Sequence, residues 1–409
     1  MVTVAAVMSE EYTALFEGKL ANPYPLYHRL RSEEPVHWSE RFGSWLLTRY
    51  SDVSLVLRDP RLSANRTGVF MGQLPASIAS GLEPLHQHLQ TWLSNSDPPR
   101  HTRLRSLVSK AFTPKLVDGM RGQIQGIVDA LLQCVQSKNQ MDIILDVAYP
   151  LPAAVISDML GVPVEDREQF KQWAEDIMAF TGGGALALPR IAARAQKSLF
   201  EMYDFFGKLM RERRSQPQAD LISVLTSVEE QGDVLGEEDL IGLCDQLLTA
   251  GHDTTRNLIG NGMLALLHNP DQLDKLRTDP SLIISTVEEL LRFDSPLQRQ
   301  TRVAKEEFEL DGKQISKGQP VLAMLGAANR DPSQFSDPDR LDICRRNNGH
   351  LAFGSGIHYC LGAPLSRLEG HIAINTIVQR FPSIRLADSD LEWRENMSVR
   401  GLTSLPCVF

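Results

Sequence analysis

Long apolar runs are missing from this sequence, and none approaches the length of a membrane-spanning helix. The apolar stretch near the N-terminus, residues 2–8, is too short to cross a bilayer. It also lacks the basic flank and the length of a signal peptide. We therefore predict a cytoplasmic protein without a membrane anchor.

Paired cysteines are missing as well. The five cysteines, at positions 134, 244, 344, 360 and 407, are scattered along the chain without a C-x-x-C pair. This spacing is typical of a reducing compartment and offers no zinc site. His86 and His88 form a single H-x-H pattern, which we expect at the surface rather than at a metal ion.

The sequence has fewer basic than acidic residues: 42 lysines and arginines against 51 aspartates and glutamates, for a formal net charge of −9. This balance argues against nucleic acid as a general partner. One segment reverses the sign: between Asp97 and Asp118 there are five basic residues and no acidic one. Such a patch favours electrostatic steering of an acidic partner, and the alternative is a solvated amphipathic helix.

Helical periodicity recurs along the 409 residues while strictly alternating stretches are few, which predicts a mainly α protein with small β-sheets. Repeats, low-complexity tails and linkers are not evident, so we expect a single domain over residues 1–409. The pattern predicts a helix over 237–268 and a hairpin that turns at Asp311 and Gly312. It is irregular at 62–96, and glycines and a proline interrupt two helices at 180–189.

The most informative segment is F-G-S-G-I-H-Y-C-L-G, residues 353–362, which we call the cysteine loop. A helix with Pro364 in its first turn follows directly. A sulfur at a helix N-terminus meets unpaired N–H groups and the positive end of the helix dipole, which favour thiolate over thiol. The surrounding glycines leave room for a flat ligand such as haem. The alternative is a buried structural cysteine.

Phe353, Gly356, Cys360 and Gly362 match the signature F-x-x-G-x-x-x-C-x-G, and through it the chain resembles the cytochrome P450 superfamily. It looks most like soluble bacterial members that tailor polyketides, other secondary metabolites or fatty acids. The resemblance implies the cytochrome P450 fold, a helix-rich single domain with a minor β region. It also implies heme b (iron protoporphyrin IX), with the Cys360 thiolate as its axial ligand and Phe353 and Gly356 beside it.

The middle of the predicted 237–268 helix reads A-G-H-D-T-T, residues 250–255, and resembles the family motif A-G-x-[DE]-T-T. The resemblance implies that Gly251 lies beside the cofactor and that Asp253 and Thr254 form an acid–alcohol pair. That pair would deliver protons during oxygen activation, with Asp253 on the solvent side. The alternative is a Gly/Thr kink that only relieves helix packing.

Four further positions match those at which the family binds the two haem propionates: His101, Arg105, Arg302 and His358. Imidazoles and guanidiniums are suited to that task. A separate E-x-x-R pattern, Glu289 to Arg292, matches the family's buried structural pair. Its third member is expected to be an arginine further along the chain, for which we favour Arg340 over Arg345.

The resemblance implies a haem-thiolate monooxygenase that inserts one atom of O2 into a small hydrophobic substrate, by hydroxylation or epoxidation. The chain ends soon after the cysteine loop, so we expect electrons from a separate ferredoxin and ferredoxin reductase. Substrate contacts are expected from the pattern breaks at 62–96 and 180–189, the helix upstream of Gly251, and residues 296–298 and 399–403. Two alternatives, a peroxide-driven peroxygenase and a non-catalytic haem- or ligand-binding protein, would not need the acid–alcohol pair.

Overall fold

The computed structural model of the chain describes residues 13–15, 21–72, 79–182, 188–230, 233–388, 390–396 and 398–409. Helices dominate these residues and the strands are short, so the predicted mainly α class is confirmed. The helices, numbered in chain order, are α1 Tyr24–Glu33, α2 Tyr50–Val56, α3 Thr67–Gly72, α4 Glu83–Thr91, α5 Arg100–Ala111, α6 Pro114–Gly119, α7 Arg121–Gln133, α8 Pro150–Leu160, α9 Arg167–Gly182, α10 Leu188–Ser215, α11 Leu221–Ser227, α12 Glu237–His268, α13 Pro270–Thr278, α14 Ile283–Phe293, α15 Leu325–Ala328 and α16 Ala363–Arg380.

The strands form small sheets. The largest has the order β1-β2-β10-β7-β3, a three-stranded sheet has the order β11-β12-β4, and β5-β6 and β8-β9 are two-stranded. The strands are β1 Val36–Ser39, β2 Ser44–Leu47, β3 Leu62–Ser63, β4 Gln140–Asp142, β5 Glu229–Glu230, β6 Asp233–Val234, β7 Gln300–Ala304, β8 Phe308–Leu310, β9 Lys313–Ile315, β10 Pro320–Ala323, β11 Arg385–Leu386 and β12 Pro406–Val408.

The chain forms two compact units. The first contains residues 1–62, 121–151 and 253–409, and the second contains residues 63–120 and 152–252. Helix α12 is shared, since its residues up to 252 belong to the second unit and the rest to the first. The single domain expected from the sequence stays a prediction.

Several local predictions are confirmed. Helix α12 has the predicted bounds, with acidic residues in its first turn, where they favour the positive end of the dipole. The predicted hairpin is β8-β9, whose turn residues Asp311 and Gly312 have φ of 52° and 71°. A two-residue hairpin with a type I′ turn requires positive φ at both of its central residues.

The expectation of no long apolar run was wrong. Among the described residues, the stretch Ile143–Leu160 is long and apolar enough to cross a membrane by length and composition alone. Of this stretch, 67% is buried inside the fold. Core helices of globular proteins pass the same test, so the stretch is weak evidence for a membrane span.

Two further predictions concern breaks in the helical pattern, and the first of them needs correction. Residues 62–96 are more regular than their sequence indicated, since β3, α3 and α4 all fall within them, although 73–78 lie outside the described residues. The predicted interruption at 180–189 does separate α9 from α10, but 183–187 also lie outside that part of the chain.

His88 is a further correction, because it is buried rather than at the surface. Its Nε2 lies 2.7 Å from Oδ2 of Asp245, which also accepts the indole N–H of Trp92 at 3.0 Å. All three residues belong to the second unit. Hydrogen bonding compensates the burial of these polar groups, so His88 is a structural residue that joins α4 to α12.

Candidate active site

The cysteine loop owes its shape to two glycines. Gly354 and Gly356 have φ of 71° and 70°, a left-handed conformation that other residues rarely adopt. A Cβ atom at Gly356 would also come within 3.1 Å of the Leu57 carbonyl oxygen. The backbone N–H of Cys360 donates to the carbonyl oxygen of Phe353 at 3.0 Å. Sterics and hydrogen bonding therefore fix the position of the cysteine.

Cys360 is partly buried and lies three residues before the start of α16 at Ala363. Gly362 occupies the N-cap position, and a Cβ atom there would lie 3.9 Å from the Cys360 Sγ. The sulfur is thus at the N-terminus of an 18-residue helix. The unpaired N–H groups and the dipole of that helix stabilise negative charge on the sulfur.

An ion pair that the sequence motifs did not reveal supports the cysteine loop. Arg367 of α16 contacts Glu288 of α14 through two hydrogen bonds, of 2.6 and 2.8 Å. The same guanidinium donates to the Tyr359 hydroxyl at 3.0 Å and lies 4.5 Å from the centroid of the Phe353 ring. One arginine therefore contacts the loop both at its first residue and directly before its cysteine.

Glu288 carries a negative charge that its hydrogen bonds stabilise. Burial alone would raise the pKa of Glu288, but hydrogen bonds from Arg367 and His350 outweigh it and lower that pKa to about 2. The carboxylate thus stays ionised at physiological pH. Bidentate arginine–carboxylate pairs combine strength with fixed geometry, so this pair holds α14, α16 and the cysteine loop in register.

The second half of the A-G-H-D-T-T motif, residues 253–255, lies next to the helix that follows the cysteine. Helix α12 continues through residues 250–255. The Thr255 hydroxyl donates to the Ser366 hydroxyl of α16 at 3.0 Å, and a Cβ atom at Gly370 would lie 3.0 Å from a methyl group of Leu258. Such contacts show that the two helices approach closely. The structure therefore brings the segment with Asp253 and Thr254 onto the helix that Cys360 precedes.

Asp253 is buried, whereas Thr254 is partly exposed. Two arginines lie near the same carboxylate oxygen of Asp253: Arg394 Nη1 is 2.9 Å away from Oδ1 and Arg256 Nη1 is 3.9 Å away. Arg394 comes from the C-terminal segment, 141 residues after Asp253 in the chain. No sequence motif marks it, so sequence reasoning missed this contact.

Arg302 and His358 belong to the first unit, like Cys360. Arg302 is buried on β7, two residues after Gln300 and hence on the same face of the strand. The Gln300 amide nitrogen would lie 3.5 Å from a Cβ atom at Gly354. Arg302 is therefore on the side of β7 that faces the cysteine loop, and His358 lies in that loop itself.

His101 and Arg105 belong to the second unit, where α5 places them one turn apart. His101 is buried. Burial, together with the positive charge of Arg105, lowers the pKa of His101, which keeps its imidazole neutral near pH 7 and able to donate one N–H.

Gly251 also belongs to the second unit. A Cβ atom there would come within 2.6 Å of the Ile156 side chain of α8. A side chain at this position would fit only if the end of the Ile156 side chain moved, and the cofactor contact of Gly251 stays a prediction.

The predicted site residues have the chemistry that an iron porphyrin needs. A thiol at a helix N-terminus suits the iron, and imidazoles with guanidiniums suit two carboxylates. Clusters of three or more His, Cys, Asp or Glu that could hold a bare metal ion do not occur among the described residues. In the first unit the predicted site residues are Cys360, Arg302 and His358, and their donor atoms fit haem rather than an ion held directly by side chains. In the second unit they are His101 and Arg105.

The E-x-x-R pair is buried, and Arg345 completes it. Glu289 and Arg292 are fully buried and joined by two hydrogen bonds of 2.8 Å. The Arg345 Nε donates to both Glu289 oxygens, at 3.0 and 3.1 Å. Our preference for Arg340 was wrong, because its side chain is exposed and only its carbonyl oxygen accepts from Arg292, at 3.2 Å.

The basic segment is less positive than its sequence indicated. Arg100 and Arg103 both contact Asp239 of α12, at 2.6 and 2.9 Å. Asp239 lies far along the chain, so the sequence count of charges could not include it. Lys110 and Lys115 are exposed at the far end of the segment.

Comparison with known proteins gives consistent matches. A sequence model of the family described as Cytochrome P450 matches residues 78–398. The polyketide biosynthesis cytochrome P450 PksS of Bacillus subtilis is 42% identical over 394 residues, covering 94% of this chain and 95% of PksS. The cytochrome P450 monooxygenase PikC of Streptomyces venezuelae is 41% identical over 402 residues, covering 96% and 92%.

A solved structure matches the fold as well. It is that of P450BioI in complex with an acyl carrier protein ligated to hexadec-9Z-enoic acid. The TM-score is 0.89 at 38% sequence identity, and the match covers 98% of this chain and 100% of the P450BioI chain.

Proposed function

Since this chain belongs to the cytochrome P450 family, we propose that Cys360 is its haem ligand and that Asp253 and Thr254 deliver the protons of its reaction. Family membership makes the chain a monooxygenase that binds heme b through a cysteine thiolate. We further propose that it works in the cytoplasm and takes electrons from a separate ferredoxin and ferredoxin reductase. The observation that carries the proposal is the position of Cys360, in a glycine loop at the N-terminus of α16, against which α12 packs.

Each residue of the proposed site has a separate role. Bound heme b supplies the redox chemistry of oxygen activation. Cys360 holds the iron, and the Glu288–Arg367 pair keeps the cysteine loop in place. His101, Arg105, Arg302 and His358 hold the propionates. Thr254 would donate the proton of its hydroxyl during oxygen activation. Asp253 would then restore that proton from the solvent.

The substrate we propose is a hydrophobic chain or ring system, hydroxylated or epoxidised. Two relatives support this class by their names: PksS acts in polyketide biosynthesis, and P450BioI was solved with a fatty acyl group on its carrier protein. The segments expected to line the pocket, such as residues 296–298 and 399–403, are mostly apolar or small. Apolar linings with few polar groups are usual for such ligands.

The direct test of the proposed function is the absorbance difference between the dithionite-reduced protein with and without carbon monoxide. We expect the long-wavelength Soret band that gives the family its name, because a thiolate ligand produces it. A band at the shorter wavelength of histidine- or thiol-ligated haem would contradict the proposed ligation. Screening polyketide and fatty acyl compounds by their spin-state shift would then define the substrate class.

Replacement of Thr254 by alanine should uncouple the reaction. Reductant consumption should continue while hydrogen peroxide rises and product falls, because the hydroxyl that guides the proton is missing. Well-placed proton donors contribute about 100-fold or more to such steps, so product per reductant should fall severalfold. The measurement is the ratio of peroxide and product to reductant consumed, with Thr254→Ser, which keeps the hydroxyl, as the control.

Unchanged coupling in Thr254→Ala would remove this residue from the mechanism. It would also favour the peroxide-driven alternative, which does not use the acid–alcohol pair. That alternative makes a second testable claim, since hydrogen peroxide alone would then support turnover at the rate seen with the complete electron-transfer system.

Electron transfer from an acidic plant-type ferredoxin should slow as salt is added, because screening weakens steering between opposite charges. The exposed Lys115 of the basic segment should contribute, so Lys115→Gln should reduce the salt dependence of the rate. Lys138→Gln, at an exposed lysine of the first unit, is the matched control. A rate that is independent of salt would contradict electrostatic docking.

A further inference from the structure

The Arg394 side chain joins the carboxylate of Asp253 to the protein surface. Arg394 contacts Oδ1 of Asp253 at 2.9 Å, yet the Arg394 side chain is 31% exposed while that of Asp253 is only 8% exposed. The arginine therefore extends from a buried carboxylate to the solvent. This contact lies within the first unit and involves an acid that we propose to carry protons.

The position of Arg394 is fixed by its own segment. The Arg394 N–H donates to the Gly401 carbonyl oxygen at 2.9 Å, and an antiparallel bridge pairs Trp393 with Leu402. These bonds join Trp393 and Arg394 to Gly401 and Leu402. The bridge and the backbone hydrogen bond together set where the Arg394 backbone lies.

Residues 400–402 are fastened to α12 along about two turns that follow Asp253. Arg256 donates to the Leu402 carbonyl oxygen at 3.2 Å, and Asn261 donates to that of Arg400 at 3.1 Å. Gly401 packs against Asn257 so closely that a Cβ atom would come within 1.9 Å of the amide oxygen. The Arg394–Asp253 contact is thus part of a built interface and not an incidental surface pair.

We propose that Arg394 is a positioning residue for proton delivery, which holds the Asp253 carboxylate in the orientation from which it passes protons on. The inference rests on the proposed role of Asp253. Because the Arg394–Asp253 ion pair is partly shielded from water, its attraction is stronger than that of a surface pair. Loss of Arg394 should therefore leave the carboxylate less well oriented and slow proton delivery.

The test is a double-mutant cycle on oxygen consumption by the holoenzyme, driven by a plant-type ferredoxin and its reductase, in H2O and in D2O. In Arg394→Gln we expect the rate to fall about three- to tenfold and the solvent isotope effect to rise, since a relay contributes about 100-fold in all. Arg394→Lys, which keeps the charge, should restore most of the rate. In an Asp253→Asn background, Arg394→Gln should have no further effect, because residues that act through one another are not additive.

Additive effects of the two substitutions, an unchanged isotope effect in Arg394→Gln, or no rescue by lysine would each overturn the inference. Arg385→Gln, at an exposed arginine of the same C-terminal region, controls for the loss of a positive charge. The carbon monoxide spectrum separates the two levels of failure. If the wild type lacks the thiolate band, the proposed function fails and this inference with it; if the band is present, additivity overturns only the role of Arg394.

Discussion

Replacement of Cys360 by serine should abolish the haem-thiolate Soret band and reduce monooxygenase activity to background. A hydroxyl at this position binds ferric iron far less well than a thiolate and does not supply the same electron density for O–O cleavage. The loop itself should survive, because its shape depends on Gly354, Gly356 and the backbone bond from residue 360 to Phe353. The measurements are the carbon monoxide difference spectrum and the rate of product formation.

The matched control for this substitution is Cys344→Ser, which changes an exposed free cysteine outside the cysteine loop. Its spectrum and activity should equal those of the wild type. Persistence of the thiolate band in Cys360→Ser would show that another cysteine ligates the iron, and the proposed site would then be wrong.

Replacement of Glu289 by alanine should destabilise the protein by about 3–5 kcal/mol, the usual result of removing one partner of a buried ion pair. Glu289 and Arg292 have no solvent exposure, and Arg345 shares the same carboxylate. Two guanidiniums would lose their common acceptor inside the fold. Urea unfolding followed by circular dichroism measures the loss, and lowered haem retention should accompany it.

A comparison of two arginines sharpens this prediction. Arg345→Met should cost a large part of the same free energy, since its Nε donates to both oxygens of Glu289. Arg340→Met should change stability by less than about 0.5 kcal/mol, as is usual for surface positions. Its backbone carbonyl, which accepts from Arg292, is present in either variant. Equal losses, or a larger loss for Arg340, would contradict the observed triad.

Much of the fold was predictable because the signals are local. The bounds of α12 follow from its acidic first turn and the Asn269–Pro270 end, and the β8–β9 turn follows from Asp311 and Gly312. Each of these depends on the backbone preferences of a few adjacent residues. The cysteine loop is equally local, since its glycines and the following helix lie within a dozen residues of Cys360.

The sequence by itself thus determined the helical class, the cysteine at a helix N-terminus and the Asp253–Thr254 motif. Tertiary structure alone decided which distant side chains meet them. Arg345 rather than Arg340 contacts Glu289. Arg394 contacts Asp253, which lies 141 residues earlier in the chain. Arg367 joins Glu288 to the cysteine loop. Such partners are set by packing between elements far apart in the chain, and an arginine has the same local propensities whether it ends in a buried pair or in solvent.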